Sequence, residues 1–138
     1  MVAGVSAENG LEGFYIQPKS IDSDAFIQYL LCLLSTSKAS TFTVFMDNCR
    51  VYHSKKVAEF IKQNDIDVIF NVAYSPQYNA IERVWAQYKI LYKKARLELI
   101  IEEKSPNYEK LVRKIMLSLP SEKIRSICTG TMRSKLGV

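Results

Sequence analysis

The sequence is short of the residues that build the commonest metal and redox sites. It holds three cysteines, Cys32, Cys49 and Cys128, with no Cys-x-x-Cys pair. An odd number at wide spacing supports neither a disulfide framework nor a zinc ribbon. Buried, reduced thiols in an intracellular protein are the expectation. There is one histidine, His53, and one tryptophan, Trp85. Long apolar runs are missing too. The longest candidate, Phe26 to Leu34, is interrupted by Gln28 and falls short of the roughly 18 residues a membrane span needs. No membrane partner is expected. The opening Met1-Val2-Ala3-Gly4 carries no basic segment and leads into no long apolar core, so a secretory signal is not expected. Glycine (5) and proline (4) are too sparse for a linker or low-complexity tract, and no internal repeat is visible.

What remains is an ordinary globular composition. The 138 residues are 48% apolar and 24% charged, which excludes intrinsic disorder. That length suits one domain with a real core. The net charge of +5 is unevenly placed. Residues 1–40 hold two basic and four acidic side chains, residues 41–103 nine and eight, and residues 104–138 eight and two. The excess sits in the last quarter. Such a segment suits a polyanionic partner, whose phosphates Lys and Arg neutralise, or is a solvated helical surface.

Two short strand-like runs, 2–7 and 13–17, flank Glu8-Asn9-Gly10, a hairpin signal with a loop longer than two residues. Ile21 to Thr36 reads as a helix capped by Asp22 or Ser23, with Phe26, Ile27, Leu30, Leu31, Leu33 and Leu34 as its apolar stripe. Thr41 to Met46 is a β-favouring run, apolar on both faces, that suits a central strand covered on each side. Ser54 caps a helix over 55–63, with Val57, Phe60 and Ile61 inward. Asp67 to Val72 is a second buried-type strand, and 73–78 a loop marked by Ser75-Pro76. Asn79 opens a long helix to about Ile101, striped by Ile81, Val84, Trp85, Tyr88, Leu91, Tyr92 and Ala95. Helices over 106–118 and 121–134 follow, with Pro106 and Pro120 at their starts. The order indicates an α/β domain whose later strands run parallel, joined by right-handed crossovers.

Two carboxylates stand where chemistry gathers in such folds. Asp47 ends a strand, at the edge where open α/β sheets bind ligands. It is equally placed to be a turn residue. Glu82 lies three residues after Asn79, a capping-box spacing that accounts for it without chemistry. A helix start is also where a second metal-binding carboxylate can stand. Carboxylates converging from separate elements can hold a pair of magnesium ions for phosphodiester cleavage, with no need for His or Cys. His53 is placed either to orient a phosphate or water near Asp47, or as a surface residue before a helix.

Taken together, Phe45-Met46-Asp47-Asn48, His53-Ser54, Tyr74-Ser75-Pro76-Gln77-Tyr78-Asn79-Ala80-Ile81-Glu82, Trp85 and Lys89 resemble the catalytic domain of mariner-superfamily DDE transposases and related bacterial insertion-sequence transposases. Thirty-four residues lie between Asp47 and Glu82, a spacing characteristic of that superfamily. The resemblance covers about residues 1 to 100. It implies a ribonuclease-H-like mixed sheet flanked by helices, here N-terminally truncated, with residues 1–103 as a partial catalytic domain and 104–138 as a basic helical extension. It implies cleavage of DNA at transposon ends and strand transfer, with a two-metal Mg2+ or Mn2+ site. Asp47 and Glu82 become the second and third catalytic, metal-binding carboxylates. Asn48, His53 and Asn79 become supporting residues, Trp85 a core residue, and Lys89, Lys93 and Arg96 contacts to nucleic acid. In many relatives the His follows the Asp by five positions. Here that place is Tyr52, and His53 stands at six.

The first catalytic Asp of the pattern has no counterpart in residues 1–7, and Glu8 falls in the hairpin turn. In the ribonuclease-H-like fold the missing first strand lies between the hairpin and the strand ending at Asp47. Its absence leaves unpaired backbone edges. The resemblance therefore implies upstream sequence, a second chain that completes the sheet, or a sheet closed in another way. A full transposase would be a homo-oligomer, located in the nucleus of a eukaryote or the cytoplasm of a bacterium. Two functions follow. One is the C-terminal part of a DDE transposase, inactive as an isolated chain. The other is a domesticated or remnant protein that binds nucleic acid or a protein without catalysis.

Overall fold

A computed structural model of the chain describes residues 1–36, 42–105 and 107–136. Its elements run β1 (Val2–Ser6), β2 (Gly10–Tyr15), α1 (Ser23–Thr36), β3 (Thr43–Met46), α2 (Lys55–Gln63), β4 (Asp67–Phe70), α3 (Ala80–Ile101), α4 (Tyr108–Ser118) and α5 (Ser121–Leu136). Short 3-10 helices occupy Arg50–His53 and Pro76–Tyr78. This is a mixed α/β chain with small sheets. Thr41 and Pro106, expected at element starts, lie outside the described residues, as do residues 137 and 138 at the end of the expected extension. The chain forms two compact units, Met1–Gly4 with Leu11–Asn79, and Val5–Gly10 with Ala80–Val138.

Local chemistry explains most element boundaries. In the hairpin, Asn9 donates its backbone N–H to Ser6 Oγ at 2.9 Å, and Gly10 takes φ +83°. A three-residue turn closed by a residue in that region is a favoured way to join two strands. β2 thus begins at Gly10, three residues earlier than the apolar pattern suggests. Asp22 Oδ1 accepts from the Ala25 N–H at 2.9 Å and caps α1. The other candidate cap, Ser23, instead donates to Ser54 Oγ at 2.9 Å. Ser54 Oγ in turn accepts from the Val57 N–H at the start of α2.

In the first unit the core gathers Val2, Phe26, Tyr29, Leu30, Met46 and Val57, with Val44, Phe60, Ile61 and Val68 packed against it. Burying each large apolar side chain contributes about 1.5–3 kcal/mol. β3 and β4 are parallel, in the register Thr43↔Asp67, Val44↔Val68, Phe45↔Ile69 and Met46↔Phe70. Among the described residues they form a two-stranded sheet, separate from the two-stranded β1–β2 sheet. The expectation of strands buried on both faces is not met. Val44, Met46 and Val68 turn toward the core, whereas Phe45 and Ile69, paired in register on the other face, remain 42% and 55% exposed. An apolar run shows that both faces can be buried, but not that both are.

In the second unit α3, α4 and α5 pack together. Val84, Tyr88, Leu111, Val112, Ile115, Met116, Ile124 and Cys128 are buried. Tyr88 Oη donates to the Met116 carbonyl at 3.0 Å. Asn107 caps α4, its Oδ1 accepting from the Lys110 N–H at 3.0 Å. Of the long stripe expected on α3, only Val84 and Tyr88 are fully buried, and Trp85 is half-buried with its ring 5.9 Å from that of Tyr88. The cysteine expectation needs correction as well. All three are free, but Cys32 and Cys49 are exposed and only Cys128 is buried. Cys32 lies on α1 and Cys49 in the loop after β3, both at exposed positions.

Candidate functional site

The first unit builds a small polar cluster at the C-terminal ends of β3 and β4. Because Met46 pairs with Phe70, the next residues on the two strands, Asp47 and Asn71, come side by side. The Asn71 N–H extends the ladder by donating to the Met46 carbonyl at 2.7 Å. Asn48 Nδ2 then donates to the Asn71 carbonyl. The side chain of Asn71 points the other way along its own loop, with Nδ2 donating to the Ser75 carbonyl at 2.7 Å. Asn71 is 7% exposed, a buried polar residue that makes three hydrogen bonds, through its N–H, its carbonyl and its side-chain Nδ2. It fastens the loop after β3 to the loop after β4.

Asp47 sits on this platform with its carboxylate exposed. Oδ1 accepts from the Cys49 N–H at 3.2 Å, which ties the side chain to the turn that follows it. Behind the turn, the Tyr52 ring packs 4.4 Å from Phe26. Burial pushes the Tyr52 phenol up to about 12, with the negative charge of Asp47 and then Cys49 adding to it. The Tyr52 hydroxyl thus stays protonated beside Asp47. The His53 ring is exposed and stacks 4.4 Å from Phe70, the last residue of β4. That places it on the same strand-end surface as the Asp47 loop.

The remaining candidates belong to the second unit or its boundary. Asn79 is buried at 9% exposure and immediately precedes α3. Glu82 lies in the first turn of α3, with its side chain exposed. Carboxylates there are favoured by the helix dipole. Lys89, Lys93 and Arg96 are exposed along α3 at four- and three-residue intervals, which puts them on one stripe of the helix. The structure therefore brings Asp47, Asn48 and His53 to one strand end and aligns the three cations on one helix.

Asp47 offers an exposed carboxylate, an oxygen donor of the kind Mg2+ and Mn2+ take. Among the described residues, however, no group of three or more His, Cys, Asp or Glu side chains is placed to hold a metal ion. A complete metal centre needs further carboxylates beside Asp47.

Asn71 lies inside the run expected as a strand, Asp67 to Val72, and no functional motif marks it. The signal was there: a polar residue directly after Val68-Ile69-Phe70, as Asp47 follows Val44-Phe45-Met46. It becomes informative only once the two runs are paired in parallel and in register.

Residues 1–102 match the family model of the DDE superfamily endonuclease. The chain belongs to that family. Among curated proteins, none matches it. No helix of the described residues is long and apolar enough to cross a membrane.

Proposed function

We propose that this chain is the C-terminal part of a DDE-type DNA transposase of the mariner group, with a ribonuclease-H-like catalytic fold. The observation that carries the reading is Asp47. It stands at the C-terminal end of a parallel strand pair, on a platform fixed by Asn48 and Asn71, in a chain of the DDE endonuclease family. The reaction is cleavage of a DNA phosphodiester by water and joining of the freed 3′ hydroxyl to target DNA. Asp47 and Glu82 are its carboxylates; with a further carboxylate they would hold Mg2+ or Mn2+, which would supply activation of the attacking oxygen and charge stabilisation at the leaving one. Asn48 orients the Asp47 loop. His53 and Asn79 support the two carboxylate-bearing segments. Lys89, Lys93 and Arg96 meet DNA phosphates.

The isolated chain does not cut DNA on this reading. Val2 of β1 and Met46 of β3 share one core, yet among the described residues the two sheets are not joined by hydrogen bonds. A strand supplied from outside this sequence, by upstream residues or a second chain, would link them and add a carboxylate. The same feature favours a second reading, a transposase-derived protein that binds nucleic acid or a protein without catalysis.

A nicking assay on supercoiled DNA with Mg2+ or Mn2+, paired with thermal melting, tests both. The 138-residue chain is expected to leave DNA intact. Millimolar metal is expected to raise the melting temperature in wild type and not in Asp47→Asn. Cleavage abolished by Asp47→Asn and by Glu82→Gln would overturn the inactivity. A melting temperature indifferent to metal would favour the non-catalytic reading.

A further inference from the structure

Helix α5 lies beyond residues 1–102, the part matched by the family model. Its buried side carries Ile124, Cys128 and Thr131. Away from that side, Glu122, Arg125, Ser126, Thr129, Gly130 and Arg133, with Ala7, line an open hollow of about 540 Å³, in which two cations outnumber one carboxylate. Ala7 belongs to the hairpin turn, which is held against the start of α5. A Cβ built on Gly10 would come within 2.9 Å of the Ser121 carbonyl oxygen. That close approach fixes the wall of the hollow.

Three features select the ligand. Arg125 and Arg133 are exposed, and neither has an ion-pair partner among the described residues. Eight residues of helix separate them by about 12 Å along the axis. Measured along a duplex axis, that distance covers three to four phosphates of one strand, at roughly 3.4 Å each. Between them stand two hydroxyls and Gly130, whose built Cβ meets nothing within 4 Å. Gly is the poorest ordinary residue for a helix interior, and here it keeps the floor open for close approach. The wider surroundings share the charge, since residues 104–138 hold eight basic and two acidic side chains.

We propose that this face of α5 binds the phosphodiester backbone of duplex DNA, with Arg125 and Arg133 each meeting one phosphate and Ser126 and Thr129 donating hydroxyl hydrogen bonds between them. The assignment rests on the DNA-directed reading above for the identity of the polyanion. It adds a contact surface independent of Asp47, Glu82 and the α3 cations.

The test is fluorescence anisotropy of a labelled duplex with the full chain in EDTA, titrated over salt. EDTA removes metal chemistry, so the outcome is separate from that of the metal and nicking experiments. Replacing both arginines by glutamine is expected to lower affinity about tenfold or more and to reduce the magnitude of the salt slope by about 2, near 0.9 per phosphate. Lys110→Gln with Lys114→Gln removes the same charge from α4 and is expected to do much less. Gly130→Glu places a carboxylate in the hollow without a helix penalty, and is expected to weaken binding as strongly while the protein stays folded. Equal effects of the arginine and lysine pairs, full binding by Gly130→Glu, or no binding by the wild type would each overturn the proposal.

Discussion

Replacing Asn71 by alanine removes one hydrogen bond and leaves its neighbours in place. The bond lost is Asn71 Nδ2 to the Ser75 carbonyl, 2.7 Å long. The two backbone links, from the Asn71 N–H to Met46 and from Asn48 Nδ2 to the Asn71 carbonyl, do not involve the side chain. Asn71 is buried, but Ser75 is half-buried, so water can partly replace the missing donor. The cost should therefore lie at the lower end of the range for an orphaned polar group, about 1–2 kcal/mol. For a chain of this size that is a fall in Tm of roughly 3–8 °C. Asn71→Asp keeps the shape but turns an oxygen toward the Ser75 carbonyl, and should cost more than alanine at neutral pH. Differential scanning calorimetry gives the magnitude. Hydrogen exchange gives the location: amides of residues 72–78 should exchange faster, while those of α1 and α2 do not. A loss below about 0.5 kcal/mol, or unchanged exchange in that loop, would refute the idea that the Asn71 side chain clamps the strand-end platform.

Two further outcomes follow from Tyr29, which is buried, and Tyr52, which is half-buried against the same core. The Tyr29 hydroxyl is buried with no hydrogen-bond partner among the described residues, so Tyr29→Phe should raise stability by about 1 kcal/mol; a lower Tm in the melting curve would show that the hydroxyl is satisfied. The second outcome concerns alkaline pH. Burial raises the Tyr52 phenol to about 12 and raises Tyr29 further, while both titrate near 10 when unfolded. Protons are then bound more tightly in the folded state, and their stabilisation is complete below pH 10 and lost as pH rises through 12. Tyr52→Phe should flatten the fall in Tm between those two values, and an unchanged slope would place Tyr52 in solvent.

How much was legible depended on range. Asp22 before α1, Ser54 before α2 and Asn107 before α4 act through hydrogen bonds within three residues, so the chain announces these helix starts. The hairpin turn at Asn9-Gly10 is equally local. Membership of the DDE endonuclease family also lies in the sequence, since spaced residue types carry it. Exposure was not legible. Phe45 and Ile69 look like core residues until the packing leaves their shared face open. Cys32 and Cys49 look like buried thiols until α1 and the loop after β3 turn them outward. Asn71 looks like one more residue of a strand until β4 ends at Phe70 and parallel register sets Asn71 beside Asp47. Gly130 looks like a flaw in a helix until it floors the hollow between two arginines. The sequence alone determined where elements begin and which residue types end them, because those choices are settled by neighbours a few positions away. Only the tertiary structure decided what each surface faces, because burial and register are properties of segments brought together from far apart in the chain.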